Sequence, residues 1–150
     1  MPAPTISPAS RQLLIDLLHA EQCACVIRNG DTIRLGRQRG VKDLFELLKR
    51  EPDLLAGAFV ADKVVGKGAA ALLIAGGVAE LWADRISEAA LELLRTSPVR
   101  VAYGASTPCI VNRDGTGICP VEALCSDCRT AAECLPRIEA FVARMAQQQP

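Results

Sequence analysis

Aromatic residues are scarce in this 150-residue chain, and neither sign of charge is in excess. The sequence contains one Trp, one Tyr and three Phe, and its 17 Lys and Arg residues equal its 17 Asp and Glu residues. Proteins that bind nucleic acids usually carry a basic surface or aromatic side chains on which bases stack. The composition therefore argues against nucleic acid as a partner.

Long apolar runs and targeting segments are also missing. The longest apolar stretch, from Gly68 to Val78, is too short and too rich in Ala and Gly to cross a bilayer. The first ten residues contain three prolines but no basic segment followed by an apolar one, so we expect neither a secretory signal nor a membrane partner. We expect a cytoplasmic protein. In that reducing compartment, seven cysteines suggest free thiols, metal ligands or redox chemistry before disulfides.

Half of the residues are hydrophobic, which is enough for one substantial core in a chain of this length. No internal repeat or low-complexity linker divides the sequence, so we predict a single domain over residues 1–150. Residues 1–9 and 147–150 are expected to be flexible. Residues 119–146 are expected to form a C-terminal helical segment that contains a cluster of cysteines.

Apolar periodicity predicts helices and strands that alternate along most of the chain. Ser10 is the expected cap of the first helix, whose apolar face would carry Leu13, Leu14, Leu17 and Leu18. The dipeptide Asn29-Gly30 predicts a hairpin turn. The order implies a mixed sheet covered on both faces, a three-layer α/β/α sandwich. We predict helices at 10–21, 40–50, 67–75, 87–94, 120–125 and 131–146, and strands at 23–28, 32–35, 55–60, 78–83, 99–103 and 109–112.

Two glycine-containing runs carry the residues of most chemical interest. One extends from Asp62 through Lys63 and Gly66 to Lys67, and the other covers residues 112–122. Each run lies just ahead of a predicted helix, where free backbone N–H groups and the positive end of the helix dipole favour an anion or a polar ligand.

Lys67 is unfavourably placed for a simple helix start. A cation in the first turn opposes the helix dipole by a few tenths of a kcal/mol up to about 1 kcal/mol. A bound anion would reverse the sign of that effect, and the alternative is a lysine that extends into solvent. The run is not a nucleoside-triphosphate-binding Walker loop, because Ala61 and Gly68 occupy the positions of its first glycine and its Ser or Thr.

The second run ends a predicted strand, where α/β sheets commonly open a ligand crevice. Arg113 could hold a phosphate or carboxylate by two hydrogen bonds, and Asn112 could orient a polar group, although the segment could equally be a simple turn. Cys119 precedes Pro120 at a predicted helix start, where the thiolate form is favoured. Glu122 occupies the capping-box position and could instead bind the N–H groups of its own helix.

The stretches 62–67, 112–113 and 119–122 resemble a family of uncharacterised bacterial proteins that are classed with the cytidine-deaminase-like fold. The resemblance implies an α/β/α sandwich around a mixed sheet and implies no activity. Deaminases of that fold hold zinc through an H-x-E motif at one helix start and a P-C-x-x-C motif at the next. The corresponding starts, 67–69 and 87–89, contain no such ligand. An H-x-E at 19–21 and a C-x-x-C at 125–128 leave a zinc-dependent nucleoside deaminase as an alternative, although both lie outside the required context.

Cysteines are concentrated near the C-terminus. Cys119, Cys125, Cys128 and Cys134 are separated by five, two and five residues, a spacing that could hold a structural zinc ion or an iron–sulfur cluster. Free thiols or an oxidisable pair are the alternatives. The remaining cysteines are expected to be small core residues of strands: Cys23, Cys25 and Cys109.

These residues favour a domain of unknown function that binds an anionic small molecule, such as a nucleotide or its ribose-phosphate part, without the hydrolytic zinc. Asp62 and Cys119 are the candidate catalytic residues. One alternative is a redox- or metal-responsive interaction module that uses the C-terminal cysteines. Another is a homodimeric structural protein that packs through its alanine-rich helix. The candidate ligand-binding residues are Lys63, Lys67, Asn112, Arg113 and Glu122.

Overall fold

A computed structural model describes residues 6–38, 41–111, 117 and 119–148. The described residues form an α/β fold with one mixed five-stranded sheet. The elements, in chain order, are α1 (Pro8–Ala20), β1 (Cys25–Asn29), β2 (Thr32–Gly36), α2 (Lys42–Arg50), α3 (Pro52–Leu55), β3 (Phe59–Val65), α4 (Lys67–Gly76), β4 (Glu80–Ser87), α5 (Glu88–Leu94), β5 (Arg100–Thr107), α6 (Pro120–Leu124) and α7 (Ala131–Gln148).

The strand order is β2-β1-β3-β4-β5. β1 is antiparallel to both β2 and β3, whereas β3, β4 and β5 are parallel to one another. The predicted hairpin is confirmed, with its turn one residue later than predicted. Asn29 pairs with Thr32, so Gly30 and Asp31 form the turn, and Gly30 supplies the positive φ of 60° that such a short turn requires.

Helices lie on both faces of the sheet. α2, α4, α5 and α7 contribute to the main core, which includes Ile27 and Val60. Neighbouring strand residues point to the opposite face, where Val26 and Ala61 pack with Leu14 and other residues of α1. An ion pair between Arg11 and Glu80 and a hydrogen bond between His19 and Asp84 join α1 to β4.

The alanine-rich helix α4 lies in the centre of the main core. It begins at Lys67 as predicted and ends at Gly77, which has the left-handed conformation that terminates helices (φ 75°). A Cβ atom on Gly68 would lie 2.3 Å from Val121, and one on Gly76 would lie 2.9 Å from Leu55. Because Ala69, Ala70 and Ala71 of α4 are buried inside their own chain, they do not form the external packing surface that the structural-protein alternative required.

The predicted starts of α1 and β3 are wrong. Ser7, and not Ser10, caps α1 by accepting a hydrogen bond from the N–H of Ser10, and Leu13 is 69% exposed while Ile15 is buried. The strand predicted at 55–60 begins at Phe59 instead, because Pro52 starts the short helix α3 and Leu55 belongs to it. As a consequence, Asp62 and Lys63 lie within β3 and not in a loop after it.

The last predicted strand, at 109–112, is not formed by its described residues. The Thr107 hydroxyl donates to the Cys109 carbonyl and accepts from the Cys109 N–H, which turns the chain after β5. Cys109 is therefore a half-buried turn residue, whereas Cys23 and Cys25 are core residues as predicted. The helices α6 and α7 are also confirmed. None of the described helices is both long and apolar enough to cross a bilayer.

Candidate functional site at the carboxyl ends of the parallel strands

Two neighbouring parallel strands lead directly into helices at their carboxyl ends, on the same side of the molecule. β3 is followed by Gly66 and α4, and β4 is followed by α5, whose first turn is capped by the Ser87 hydroxyl accepting from the N–H of Ala90 at 3.1 Å. Both helix starts agree with the sequence prediction. Ligands of α/β proteins commonly bind in this position, beyond the carboxyl ends of the strands.

The carboxylate of Glu122 connects these helix starts. Oε1 accepts hydrogen bonds from the backbone N–H of Lys67 at 3.0 Å and from the hydroxyl of Ser87, and Oε2 accepts from the backbone N–H of Ile110. Glu122 is 5% exposed, so these contacts take the place of water. Its carboxylate therefore occupies the anion-favouring position at the start of α4 that the sequence assigned to a ligand.

Glu122 does not form the predicted capping box. The N–H of Cys119, which a capping box would satisfy, donates instead to the carbonyl oxygen of Ile110 at 2.8 Å. The Glu122 side chain is thereby left for the three donors that α4, Ser87 and Ile110 present. These distant donors define its role, and they could not be inferred from the spacing within one helix.

The same contacts fix both ends of the loop that joins β5 to α6. Ile110 and Cys119 are hydrogen-bonded to each other, and Ile110 is also bonded to Glu122. A Cβ atom on Gly66 would lie 3.3 Å from both Glu122 Oε1 and Ile110 Cγ1, so glycine allows these two side chains to lie close to the start of α4. Asn112 and Arg113 belong to this loop but lie outside the described residues.

Lys67 extends away from its own helix start. Its ammonium donates to the backbone carbonyls of Ser126, at 3.2 Å, and of Cys128, and the residue is 8% exposed. The alternative of a lysine that extends into solvent is therefore wrong. The cation lies beside carbonyl groups in the turn after α6, where the partial negative charge favours it.

Comparison with known proteins identifies the family of this chain. The family model described as "TM1506: Domain of unknown function (DUF1893)" matches residues 13–142. The chain belongs to the DUF1893 family. A crystal structure of a DUF1893 family protein, TM1506 from Thermotoga maritima, superposes with a TM-score of 0.85 at 24% sequence identity, covering 94% of this chain and 95% of that one. This likeness shows the shared fold. No curated protein matches the chain.

Asp62, a candidate catalytic residue of this DUF1893 domain, lies apart from the Glu122 contacts. It pairs with Cys25 across β3 and β1, and its Oδ1 accepts the N–H of Val64 at 3.1 Å. Burial raises the pKa of Asp62 from 3.8 to about 7, with smaller contributions from nearby groups that include Asp84 and Asp43. The carboxyl group can therefore gain or lose a proton near neutral pH. Lys63, the next residue of β3, is half-buried.

The thiols near the C-terminus are close together but do not form the predicted four-cysteine site. Cys125, Cys128 and Cys134 are all buried, and the nearby thiols of Cys125 and Cys128 contribute to the raised pKa of Cys134. Burial raises the pKa of Cys125 and of Cys134, which suppresses the thiolate form. Among the described residues, no three His, Cys, Asp or Glu side chains are arranged to hold a metal ion. Cys119 is half-buried immediately before α6.

The residues at the two helix starts do not fit the zinc of deaminases. Gly68 and Ala69 offer no side-chain ligand at the start of α4, and Ser87 is hydrogen-bonded to Glu122. The H-x-E histidine, His19, lies in the last turn of α1 with its Nε2 atom 2.7 Å from Asp84. The C-x-x-C follows α6 and not the start of α5.

The sequence prediction included Glu122 and Lys67 but missed their partners. Ser87 was predicted as a helix cap and not as a partner of Glu122, and Ile110 and Ser126 contribute through their backbones, which any residue type could do. The one useful signal was that Ser87 and Gly66 both lie between a strand and a helix.

Proposed function

We propose that this domain binds a small anionic molecule, of the nucleotide or ribose-phosphate class, beyond the carboxyl ends of β3, β4 and β5. The observation that carries the proposal is the contact of one buried carboxylate, that of Glu122, with two helix starts and with the loop after β5. A fixed loop base next to a sheet crevice is a common basis for a binding site.

Each candidate residue has a distinct proposed role. Arg113 binds the anionic group by two hydrogen bonds and Asn112 orients a polar part of the ligand. Lys67 and Lys63 contribute positive charge nearby, although the Lys67 ammonium also contacts backbone carbonyls. The candidate reactive groups are the Cys119 thiol, next to the loop, and the Asp62 carboxyl group, with its pKa near neutrality.

Glu122 acts as a positioning residue in this proposal. Its carboxylate fills the anion-favouring position at the start of α4, so the ligand binds farther out, against the loop between Ile110 and Cys119. The mixed sheet with helices on both faces, and the paired helix starts after β3 and β4, support a cytidine-deaminase-like architecture. Zinc is not part of this proposal, because the residues at those helix starts do not supply side chains that coordinate it.

Calorimetric titration of the purified protein with AMP, ADP, ribose 5-phosphate and inorganic phosphate tests the proposal. We expect saturable binding of at least one phosphorylated compound, and a roughly tenfold or greater weakening for Arg113→Ala, equivalent to about 1.4 kcal/mol. Arg144→Ala, at an exposed position of α7, is the matched control and should bind as the wild type does. Absence of binding by every compound at millimolar concentration would refute the proposal.

The burial of the neighbouring thiols Cys125, Cys128 and Cys134 is the observation behind a second candidate function, a redox- or metal-responsive module. Elemental analysis and thiol counting of protein purified without added metal distinguish it from the first. Bound zinc or iron that is lost on replacing Cys125 and Cys128 would support the second candidate. A metal-free protein with seven reactive thiols after unfolding would exclude it.

A further inference from the structure

One edge of the sheet presents backbone groups without partners among the described residues. β5 is the last strand, and the N–H of Arg100 donates to the carbonyl of Ala79 at 3.0 Å, which fixes the groups that face β4. Because backbone groups alternate in direction along a strand, the N–H and C=O groups of Val101, Tyr103 and Ala105 point away from β4. These outward N–H and C=O groups are spaced so that a further strand could form hydrogen bonds with them.

This edge lacks the usual protection against pairing. Apart from Arg100 at its first position, β5 contains no charged residue and no proline, and most of its residues are exposed. The opposite edge, β2, is shorter and carries Arg34, whose guanidinium is 2.8 Å from a carboxylate oxygen of Glu51. Exposed edges are normally protected by charges, prolines or short length, so β5 is the edge that favours a partner strand.

We propose that a second copy of this chain covers β5 through antiparallel pairing of the two β5 strands. A two-fold axis at Tyr103 places this residue opposite the partner's Tyr103, and Val101 opposite the partner's Ala105. In this register every outward N–H and C=O group of the three residues forms a hydrogen bond with the partner. The two five-stranded sheets then join into one.

Side chains on one face of β5 fit the same arrangement. Val101 packs against the main core that α5 covers, and Tyr103 shares that face and is 42% exposed. The two tyrosine rings would therefore meet across the axis and cover each other.

Charge complementarity also supports a second copy as the occupant. The exposed residues Glu88, Glu92 and Arg95 follow one another at helical spacing: Glu88 begins α5, Glu92 lies in its last turn and Arg95 directly follows it. The two-fold axis sets the two α5 helices antiparallel on the same face of the joined sheet. Glu88 at the start of each helix then lies on the side of Arg95 at the end of the other.

Light scattering coupled to size-exclusion chromatography of the full chain tests this inference. We expect a mass twice that of the 16.0 kDa chain. Tyr103→Lys and Tyr103→Glu should each be monomeric, because each places two like charges at the axis, and an equimolar mixture of the two should recover the dimer. Ile33→Lys, at a 51%-exposed position on the opposite edge, is the matched control and should remain dimeric.

A second measurement needs no charged variant. Tyr103 is the single tyrosine of the sequence, so oxidative coupling of tyrosines should give a covalent dimer with dityrosine fluorescence, and Tyr103→Phe should abolish that product while remaining dimeric. A monomeric wild-type protein at 100 micromolar or above, on the order of the concentrations used for weak dimers, would overturn the inference. Persistence of the dimer in both charged variants, with cooperative unfolding intact, would also overturn it.

Discussion

The carboxylate of Glu122 has almost no exposed surface, so hydrogen bonds must offset the free-energy cost of its burial. Three donors surround the carboxylate, from Lys67, Ser87 and Ile110. A buried carboxylate is tolerated where donors replace its water. Removing the carboxylate leaves those donors without an acceptor, which costs more than the bonds themselves contribute.

We therefore expect Glu122→Ala to destabilise the protein by about 3 kcal/mol or more, at roughly 1–3 kcal/mol for each buried donor left unpaired. Glu122→Gln should lose less, because it keeps one acceptor oxygen. Urea unfolding monitored by circular dichroism measures both effects. Glu139→Ala, which removes an exposed partner of Lys49, is the control and should change the stability little. Equal midpoints for Glu122→Ala and Glu139→Ala would show that the Glu122 contacts do not stabilise the fold.

Asp62 should make the stability depend on pH in the direction opposite to most acidic residues. Its pKa is raised from 3.8 to about 7 in the folded protein, so between these values the folded chain holds a proton that the unfolded chain has lost. The stabilisation is complete below about pH 4 and is lost as the pH rises through about 7. The total loss is on the order of 4 kcal/mol, at about 1.4 kcal/mol per unit.

Comparison with Asp62→Asn isolates this contribution from those of other groups. The free energy of unfolding of the variant relative to the wild type should rise between pH 5 and pH 8, because the neutral amide avoids burial of a charge while its oxygen still accepts the N–H of Val64. Urea unfolding at the two pH values gives the difference. Parallel pH profiles for the two proteins would mean that Asp62 titrates normally.

At the scale of elements, Lys67 ties α4 to the turn between α6 and α7. Its ammonium donates hydrogen bonds to two backbone carbonyl groups of that turn, those of Ser126 and Cys128. This turn lies next to the three buried thiols of Cys125, Cys128 and Cys134. The thiols should therefore report how firmly the C-terminal helices are attached.

We expect Lys67→Ala to expose these thiols more often while leaving the sheet intact. Their alkylation rate in the native protein should rise roughly tenfold, corresponding to about 1.4 kcal/mol less resistance to local opening. Mass spectrometry of the labelled peptides measures the rate at each cysteine. Lys49→Ala, at an exposed lysine that contacts Phe45, is the control and should label as the wild type does. An unchanged rate in Lys67→Ala would indicate that the lysine does not hold the turn.

The starts of α4 and α5 could be predicted because their signals are local. Gly66 and Ser87 each stand between an apolar strand and a helical pattern, and Gly77 marks the end of α4. The start of β3 could not be predicted in the same way. Leu54, Leu55 and Phe59 form one apolar pattern in the sequence, which suits a strand as well as a one-turn helix followed by a strand.

At the scale of the whole molecule, alternation of strands and helices was enough to predict an α/β fold with a mixed sheet. The contacts of the candidate site could not be predicted from this alternation. Glu122 meets Lys67 across 55 residues and Ser87 across 35, and no local pattern specifies a contact at that separation. The sequence predicted candidate site residues, and the fold determines which of them meet.

We propose that the loop held by Glu122, together with the starts of α4 and α5, forms a binding site for a phosphorylated small molecule. Amide chemical-shift mapping by NMR during titration with ribose 5-phosphate and AMP is the sharpest test of this proposal. We expect saturable shifts concentrated at residues 66–69, 87–89 and 110–121. Saturable shifts at a distant surface, such as the β1–β2 hairpin, or no shifts at millimolar ligand, would contradict it.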